Sequence, residues 1–206
     1  MLNTILLAKL PDLNAWVWAD YRMAVLFAVI MPLILLLWAF IRRIEVIQRL
    51  LITYWRVSSL LAITVYLMIA ALPVGFMAAI AARILIPVGL WFWVDANEEI
   101  QEMPASPLKT CFTSWRWAIT AWNLIGAVLF LPSIHCAFAE TPDLLQDQSC
   151  LGWLEPTWMY REIFHPNLNP QFLGLLGLAG LIFYVMFFSY FVVIKLKRYG
   201  RSATSY

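Results

Sequence analysis

The apolar stretch at residues 57–94 limits the folds open to this chain more than any other feature. It is about twice as long as the roughly 20 residues that a helix needs to cross a bilayer. Pro73 and Gly75 lie near its middle, and both residue types favour a turn. The stretch therefore predicts two membrane helices joined by a tight hairpin.

Five apolar windows of this kind predict an all-α, polytopic protein whose residues 1–206 form a single integral membrane domain. The predicted spans are residues 23–41, 57–74, 76–94, 117–134 and 172–194. Only 13% of the residues are charged, against about 25% in soluble domains, so lipid must cover most of the surface. The net charge of +2 is too small to indicate a nucleic-acid partner.

The distribution of Lys and Arg predicts the orientation in the membrane. Segments 42–56, 95–116 and 195–201 hold ten of the 14 basic residues and lie on one side of the five spans. Cytoplasmic segments carry such an excess, so the N-terminus is predicted outside and the C-terminus in the cytoplasm. Residues 3–20, short and weakly charged, are expected to lie along the outer surface.

The segment 42–56 is amphipathic and basic. Its arginines are candidates for docking to lipid or to a partner: Arg42, Arg43, Arg49 and Arg56. The segment is either a helix in the plane of the membrane or an inward extension of the first hairpin. Anchoring to anionic lipid head groups is the favoured interpretation.

The longest segment outside the spans is the outer loop 135–171, and it contains Cys136 and Cys150. Two cysteines in one non-cytosolic loop favour a disulfide. The alternatives are two unpaired small residues, or a pair of metal ligands completed by a histidine.

The chain has two histidines, His135 and His165, both on the predicted outer side. Either is a candidate ligand for a haem iron or a chlorophyll magnesium. One lies at a helix mouth and the other in a loop, so a polar role at the membrane surface is favoured. No cofactor is therefore predicted, with bound lipid or chlorophyll as the alternative.

Arg83 is the one charged residue well inside a predicted span. An intramembrane charge either marks a functional site or ties helices together. The candidate partners in the chain are Asp20, Glu140, Asn123 and the carbonyls near Pro87. No carboxylate lies within a predicted span, which indicates that the partner of Arg83 belongs to another protein.

Four carboxylates follow the third span at positions i, i+3, i+4 and i+7: Asp95, Glu98, Glu99 and Glu102. If that helix continues beyond the membrane, they share one face. A solvated face or a docking patch for a basic partner is favoured over an oxygen-ligand metal site.

Small residues recur along the last span, at Gly174, Gly177 and Gly180. Such spacing lets helix backbones approach closely. The stripe predicts helix packing, either within the chain or with a partner.

Four stretches resemble an uncharacterised family of cyanobacterial integral membrane proteins: LLITYWRVSSLLAITVYLMIA, RILIPVGLWFWVDANEEI, WRWAIT and WLEPTWMY. The resemblance extends over residues 18 to 201. It implies a thylakoid or plasma membrane, with the outer loop in an oxidising lumen or periplasm. No site residue is carried over.

We found no phosphate loop, nucleophile motif, zinc-protease motif or internal repeat. The sequence therefore predicts no enzyme, but a non-catalytic accessory, assembly or scaffold protein of a photosynthetic or respiratory membrane complex. Its partners would be membrane lipids and other complex subunits. The alternatives are a small-solute or ion transporter that uses Arg83, and a haem- or chlorophyll-binding membrane protein.

Overall fold

The computed structural model describes residues 13–195, and it confirms the all-α prediction because this range contains helices and no strand. Five helical runs are long and apolar enough to cross a membrane, which indicates an integral membrane protein. Their bounds are Asn14–Arg42, Glu45–Ile69, Val74–Trp91, Pro107–Ala137 and Pro170–Ile194.

We number the α-helices in chain order. They are α1 Leu13–Ala24, α2 Met31–Arg42, α3 Glu45–Ile69, α4 Val74–Trp91, α5 Val94–Glu102, α6 Pro107–Phe130, α7 Thr141–Leu144, α8 Gln148–Phe164 and α9 Pro170–Tyr190. A π-helical turn, Val25–Ile30, joins α1 to α2, a 3₁₀ helix, Leu131–Ala137, extends α6, and a second π-helical turn, Phe191–Lys195, follows α9.

The π-helical turn in the first helix has a cause in the sequence. Pro32 has no N–H, so the carbonyl of Ala28 loses its helical partner. The hydroxyl of Tyr54 on α3 donates to that oxygen at 2.8 Å. The indole Nε1 of Trp115 on α6 donates to the neighbouring carbonyl of Phe27, also at 2.8 Å. The irregular turn is thereby held to two other helices.

The start of the chain differs from prediction. Residues 13–20 do not lie along the surface but continue the first helix as α1. Tertiary packing explains this, since α1 contacts α8 and Val17 is buried in a cluster with Trp153 and Leu154. The rest of the predicted surface segment, residues 3–12, lies outside the described residues.

Helix α3 is the centre of the bundle and contacts α2, α4, α5, α8 and α9. It runs from Glu45 to Ile69 without a break, so the amphipathic segment extends a membrane helix and the in-plane alternative is wrong. The hairpin predicted at Pro73 is confirmed between α3 and α4.

The third span ends at Trp91 and does not continue through the acidic segment, which forms the separate helix α5. The Asn97 side chain donates to the carbonyl of Trp91 at 3.2 Å and so covers the end of α4. Asn97 also accepts from Arg116 at 2.6 Å, and the Arg116 guanidinium lies 3.8 Å from the centre of the Trp91 ring. These contacts join α4, α5 and α6.

The predicted outer loop is largely helical, as α7 and α8, with the end of the 3₁₀ helix before them. We call the end of the bundle that α8 covers the disulfide end, since Cys136 and Cys150 are bonded there. The opposite end, with Arg42, Arg43, Arg49 and helix α5, is the basic end.

Candidate functional site

A cavity of about 670 Å³ lies between the first helix and α3, towards the disulfide end. The first helix packs against α3 through α2, whereas α1 packs mainly against α8 and contacts α3 through the hydrogen bond from Tyr21 to Met68. The two helices therefore separate, and α8 covers the space between them. Most of the lining is apolar or aromatic, including Ala24, Ala62, Trp122, Phe130, Trp153 and Phe164.

The cavity is elongated and opens sideways. Along α3 it extends from Trp55 to Met68, which at 1.5 Å per residue is about 20 Å. Exposed side chains at Val29, Ser59 and Ala62 form part of its wall, so it reaches the lateral surface of the bundle. In a membrane that surface faces lipid. Its volume falls within the roughly 300–1,000 Å³ typical of small-molecule sites.

Arg83 lines the cavity and forms an ion pair with Asp20. Its Nη1 donates to Asp20 Oδ1 at 3.3 Å, and its Nη2 donates to Oδ2. The Arg83 side chain is 8% exposed and that of Asp20 15%. The expectation that the partner belongs to another protein is therefore wrong. Asp20 precedes the predicted span, but α1 carries it into the bundle, to the depth of Arg83.

Aromatic rings and a glycine complete the surroundings of Arg83. Its guanidinium carbon lies 5.5 Å from the ring centre of Trp122, 6.0 Å from that of Phe130 and 5.8 Å from that of Trp153. Gly126 on α6 leaves the space that the guanidinium fills, since a Cβ there would collide with Nη1. Sequence reasoning missed Gly126; its only signal is a glycine inside an apolar helix.

Two buried donors in the cavity wall have no hydrogen-bond acceptor among the described residues. They are Nε of Arg83 and the indole Nε1 of Trp55. Asn123, one of the predicted partners of Arg83, donates instead to the carbonyl of Ile119 at 2.8 Å. The cavity is therefore mostly apolar with a paired charge, and the two N–H groups are buried behind its surface.

The disulfide between Cys136 and Cys150 is present in the structure, and both residues are buried. His135 lies beside it, with Nε2 2.8 Å from Asp147 Oδ2 and Nδ1 2.9 Å from the carbonyl of Pro132. The hydrogen bond with His135 holds the pKa of the Asp147 carboxyl below its usual value.

His165, the second histidine, does not lie beside the disulfide. Its Nε2 lies 2.9 Å from the hydroxyl of Tyr66, which lines the cavity. The structure therefore gives the two histidines separate partners. Within residues 13–195, the one group of three potential metal ligands that converges is His135, Cys136 and Cys150.

The acidic residues share a face of α5, with one bridge to α3. Glu99 accepts from Arg49 at 2.8 Å, while Asp95 Oδ1 accepts from the backbone N–H of Ala96, also at 2.8 Å. Glu98 and Glu102 are exposed. The face therefore already has a basic neighbour within the chain.

Three of the four arginines predicted to dock lipid or a partner are exposed: Arg42, Arg43 and Arg56. Docking by these residues stays a prediction.

The glycine stripe of α9 packs within the chain. Gly177 and Gly180 face Leu67 and Ile63 of α3, and Gly174 faces Ala70 just beyond its end. A Cβ at Gly177 would lie 3.0 Å from the backbone nitrogen of Leu67. Of the two alternatives for the stripe, the structure selects the intrachain one.

Comparisons with known proteins place the chain by family alone. No curated protein and no solved structure matches it. A family model described as "Protein of unknown function (DUF3177)" matches residues 14–204, a range that includes all five membrane-length helices and the cavity. The chain therefore belongs to this family of proteins of unknown function.

Proposed function

We propose that this protein is a non-catalytic accessory protein of the membrane that holds an uncharged, lipid-soluble molecule in the cavity. The observation that carries the proposal is the shape and chemistry of this space. It is about 20 Å long by the helical rise, it reaches the lipid-facing surface, and its lining is mostly apolar, with the Arg83–Asp20 pair and several hydroxyl side chains as its polar groups.

The charge balance of the cavity favours an uncharged ligand. The positive charge of Arg83 is already matched by Asp20 at contact distance. A second anion would compete with that carboxylate, and a second cation would be repelled by the guanidinium. An elongated apolar molecule meets neither cost.

The free donors define the polar part of the ligand. Arg83 Nε and Trp55 Nε1 are buried and lack an acceptor in the described part of the chain. A buried donor without an acceptor costs about 1–3 kcal/mol. A small rotation of either side chain would present its N–H to a carbonyl, ester or ether oxygen in the cavity and remove that cost, so the ligand class we propose is a lipid or isoprenoid with such an oxygen.

The geometry supports binding better than transport. The cavity extends from the disulfide end to the level of Trp55 and Ala28. Beyond that level, Tyr54 and Trp115 are buried and hydrogen-bonded to the first helix. A haem or chlorophyll is the second candidate ligand. His165, a possible ligand of its metal, lies 2.9 Å from the hydroxyl of Tyr66 in the cavity wall.

The setting we propose comes from the sequence: a cyanobacterial thylakoid or plasma membrane, with the disulfide end outside or in the lumen. There the protein would be a subunit or assembly factor of a photosynthetic or respiratory complex. The basic segments and the paired cysteines support this orientation.

The test is solvent extraction of the protein after mild solubilisation and native electrophoresis, followed by mass spectrometry and an absorbance spectrum. We expect one lipid-soluble molecule per chain. Ala62→Trp, which fills the cavity mouth, should lower its amount at least tenfold. Ala121→Trp is the matched control, because Ala121 is exposed on α6 and does not line the cavity.

Equal amounts of extracted molecule in the two variants and the wild type would contradict the proposal. A protein free of any such molecule, although folded and purified from its own membrane, would also contradict it.

A further inference from the structure

A disulfide, an imidazole and a carboxylate meet at one point of the disulfide end. His135 Nε2 lies 3.8 Å from the sulfur of Cys136 and 3.7 Å from that of Cys150. The ligand atoms of these three residues lie within 4.8 Å of one another. Asp147 Oδ2 lies 2.8 Å from the same imidazole nitrogen.

His135 is oriented as a metal-binding histidine is. Its Nδ1 lies 2.9 Å from the carbonyl of Pro132. A carbonyl only accepts, so Nδ1 carries a proton in this hydrogen bond; Nε2 donates to the Asp147 carboxylate, and it can bind a metal once it has lost that proton. Metal-ligating histidines are commonly held through the other ring nitrogen in this way.

Asp147 is also held in place. Its Oδ1 accepts from the backbone N–H of Ser149 at 2.8 Å, at the start of α8. This leaves Oδ2 directed towards His135. The carboxylate therefore has one oxygen that fixes it, while the other could bind a metal ion in place of its hydrogen bond with His135.

We propose that the dithiol form of Cys136 and Cys150, together with His135 and Asp147, binds a zinc-type divalent cation. Two thiolates, one imidazole and one carboxylate are a donor set suited to tetrahedral zinc. With Zn–S of about 2.3 Å and Zn–N of about 2.1 Å, tetrahedral angles require S···N separations of about 3.6 Å. The separations in the disulfide form, 3.8 and 3.7 Å, are close to this value, and after reduction the two sulfurs have to move apart to about 3.8 Å to bind the same ion.

The redox step is balanced by an external dithiol. The reductant gives two electrons and two protons to the Cys136–Cys150 bond, which breaks into two thiols, and the reductant becomes a disulfide. Both thiols and His135 Nε2 then release their protons to solvent as the metal–ligand bonds form. A newly made chain reaches the same dithiol form without a reductant, because cysteine is incorporated as a thiol.

The approach to the site is through the histidine. Both cysteines are fully buried, while the side chain of His135 is 52% exposed. A metal ion bound there would close the same segment that the disulfide closes, between the 3₁₀ helix and α8. The site does not depend on the cavity or on its ligand.

The test uses the full chain in detergent, reduced with a phosphine that binds divalent metals weakly, and titrated with Zn²⁺ or Co²⁺. We expect one ion per reduced chain, with the thiolate-to-cobalt absorption of a tetrahedral site, and none on the oxidised chain. His135→Ala should weaken binding more than about 100-fold, since even the loss of an outer partner costs 10–100-fold. Asp147→Asn should weaken it less, because an amide still caps α8.

Two variants serve as controls. His165→Ala and Cys111→Ala remove the other histidine and the free cysteine and should leave the affinity unchanged. If reduction loosens the segment, restoration of its thermal stability by Zn²⁺ supports the site. A failure of Zn²⁺ to restore it, an absence of the tetrahedral cobalt spectrum, or equal affinity in His135→Ala would overturn the proposal.

Discussion

Arg83 is stable inside an apolar bundle because its neighbours compensate the charge of its guanidinium and leave room for it. Asp20 pairs with both terminal nitrogens, aromatic faces lie within about 6 Å, and Gly126 supplies the space. A buried ion pair of this type is stable only while both partners are present, since removal of one leaves the other as an unpaired buried charge.

We expect Asp20→Asn to destabilise the protein by about 3–5 kcal/mol, because it leaves the guanidinium unpaired. Arg83→Met, which removes the other partner, should cost a similar amount for the same reason. The double variant should cost less than the sum of the two, since neither charge is then buried alone. Denaturant unfolding of the detergent-solubilised protein measures all three.

If the loss of unfolding free energy in the double variant equals the sum of the two single losses, Asp20 and Arg83 do not compensate each other's charge. Glu155→Gln is the control, since Glu155 is an acid on α8 that accepts a hydrogen bond from the exposed Asn14 side chain. It should change stability by less than about 0.5 kcal/mol.

Arg83 could be singled out from the sequence because a charge in an apolar window is conspicuous, and Asp20 could be named among its candidate partners. The pairing itself could not, because it depends on how far the first helix extends. No sequence pattern distinguished Gly126, since the space it leaves for Arg83 arises only when α4 and α6 pack against each other.

At the level of elements, apolar windows predicted all five membrane-length helices, because a bilayer requires long apolar segments. Their ends were predicted less well. Contacts with α8 extend the first helix from residue 23 back to Leu13, nearly three turns, and the hydrogen bond from Asn97 to the Trp91 carbonyl separates α4 from α5. The start of the first helix depends on residues distant in sequence, and the end of α4 depends on a side chain of the following helix.

The glycine stripe of α9 allows α9 to approach α3 closely, so an added methyl group should push the two helices apart. We expect Gly174→Ala and Gly177→Ala to lower the unfolding free energy by about 1–3 kcal/mol, since the new methyl groups meet Ala70 and the backbone of Leu67. Gly180→Ala is the matched control, because its methyl group would lie 3.3 Å from a flexible Ile63 side-chain carbon.

The order of the three losses is the decisive measurement, by thermal unfolding in one detergent. Gly180→Ala should be the mildest. A stripe used for a partner instead of α3 would leave all three variants as stable as the wild type, and that result would contradict the intrachain assignment.

At the scale of the whole molecule, the two ends of the bundle differ in how they are held. At the basic end, Arg116, Asn97 and Trp91 join three helices, and Arg49 bridges α3 to α5. Towards the disulfide end the first helix leaves α3, and α8 covers the gap with the disulfide beside it. The cavity forms because of this difference in helix packing, which depends on contacts between distant residues and cannot be read from a window of the sequence.

The orientation of the molecule is the last prediction. The sequence segments predicted on one side of the membrane hold ten of the 14 basic residues, and the arginines of the basic end belong to them, so that end should face the cytoplasm. Ala105 and Asn167 are exposed positions between helices at the basic and disulfide ends. In a Cys111→Ala background, Asn167→Cys should react with a membrane-impermeant maleimide in intact spheroplasts of an expressing bacterium. Ala105→Cys should react only after permeabilisation, and the reverse pattern would mean that the disulfide end faces the cytoplasm.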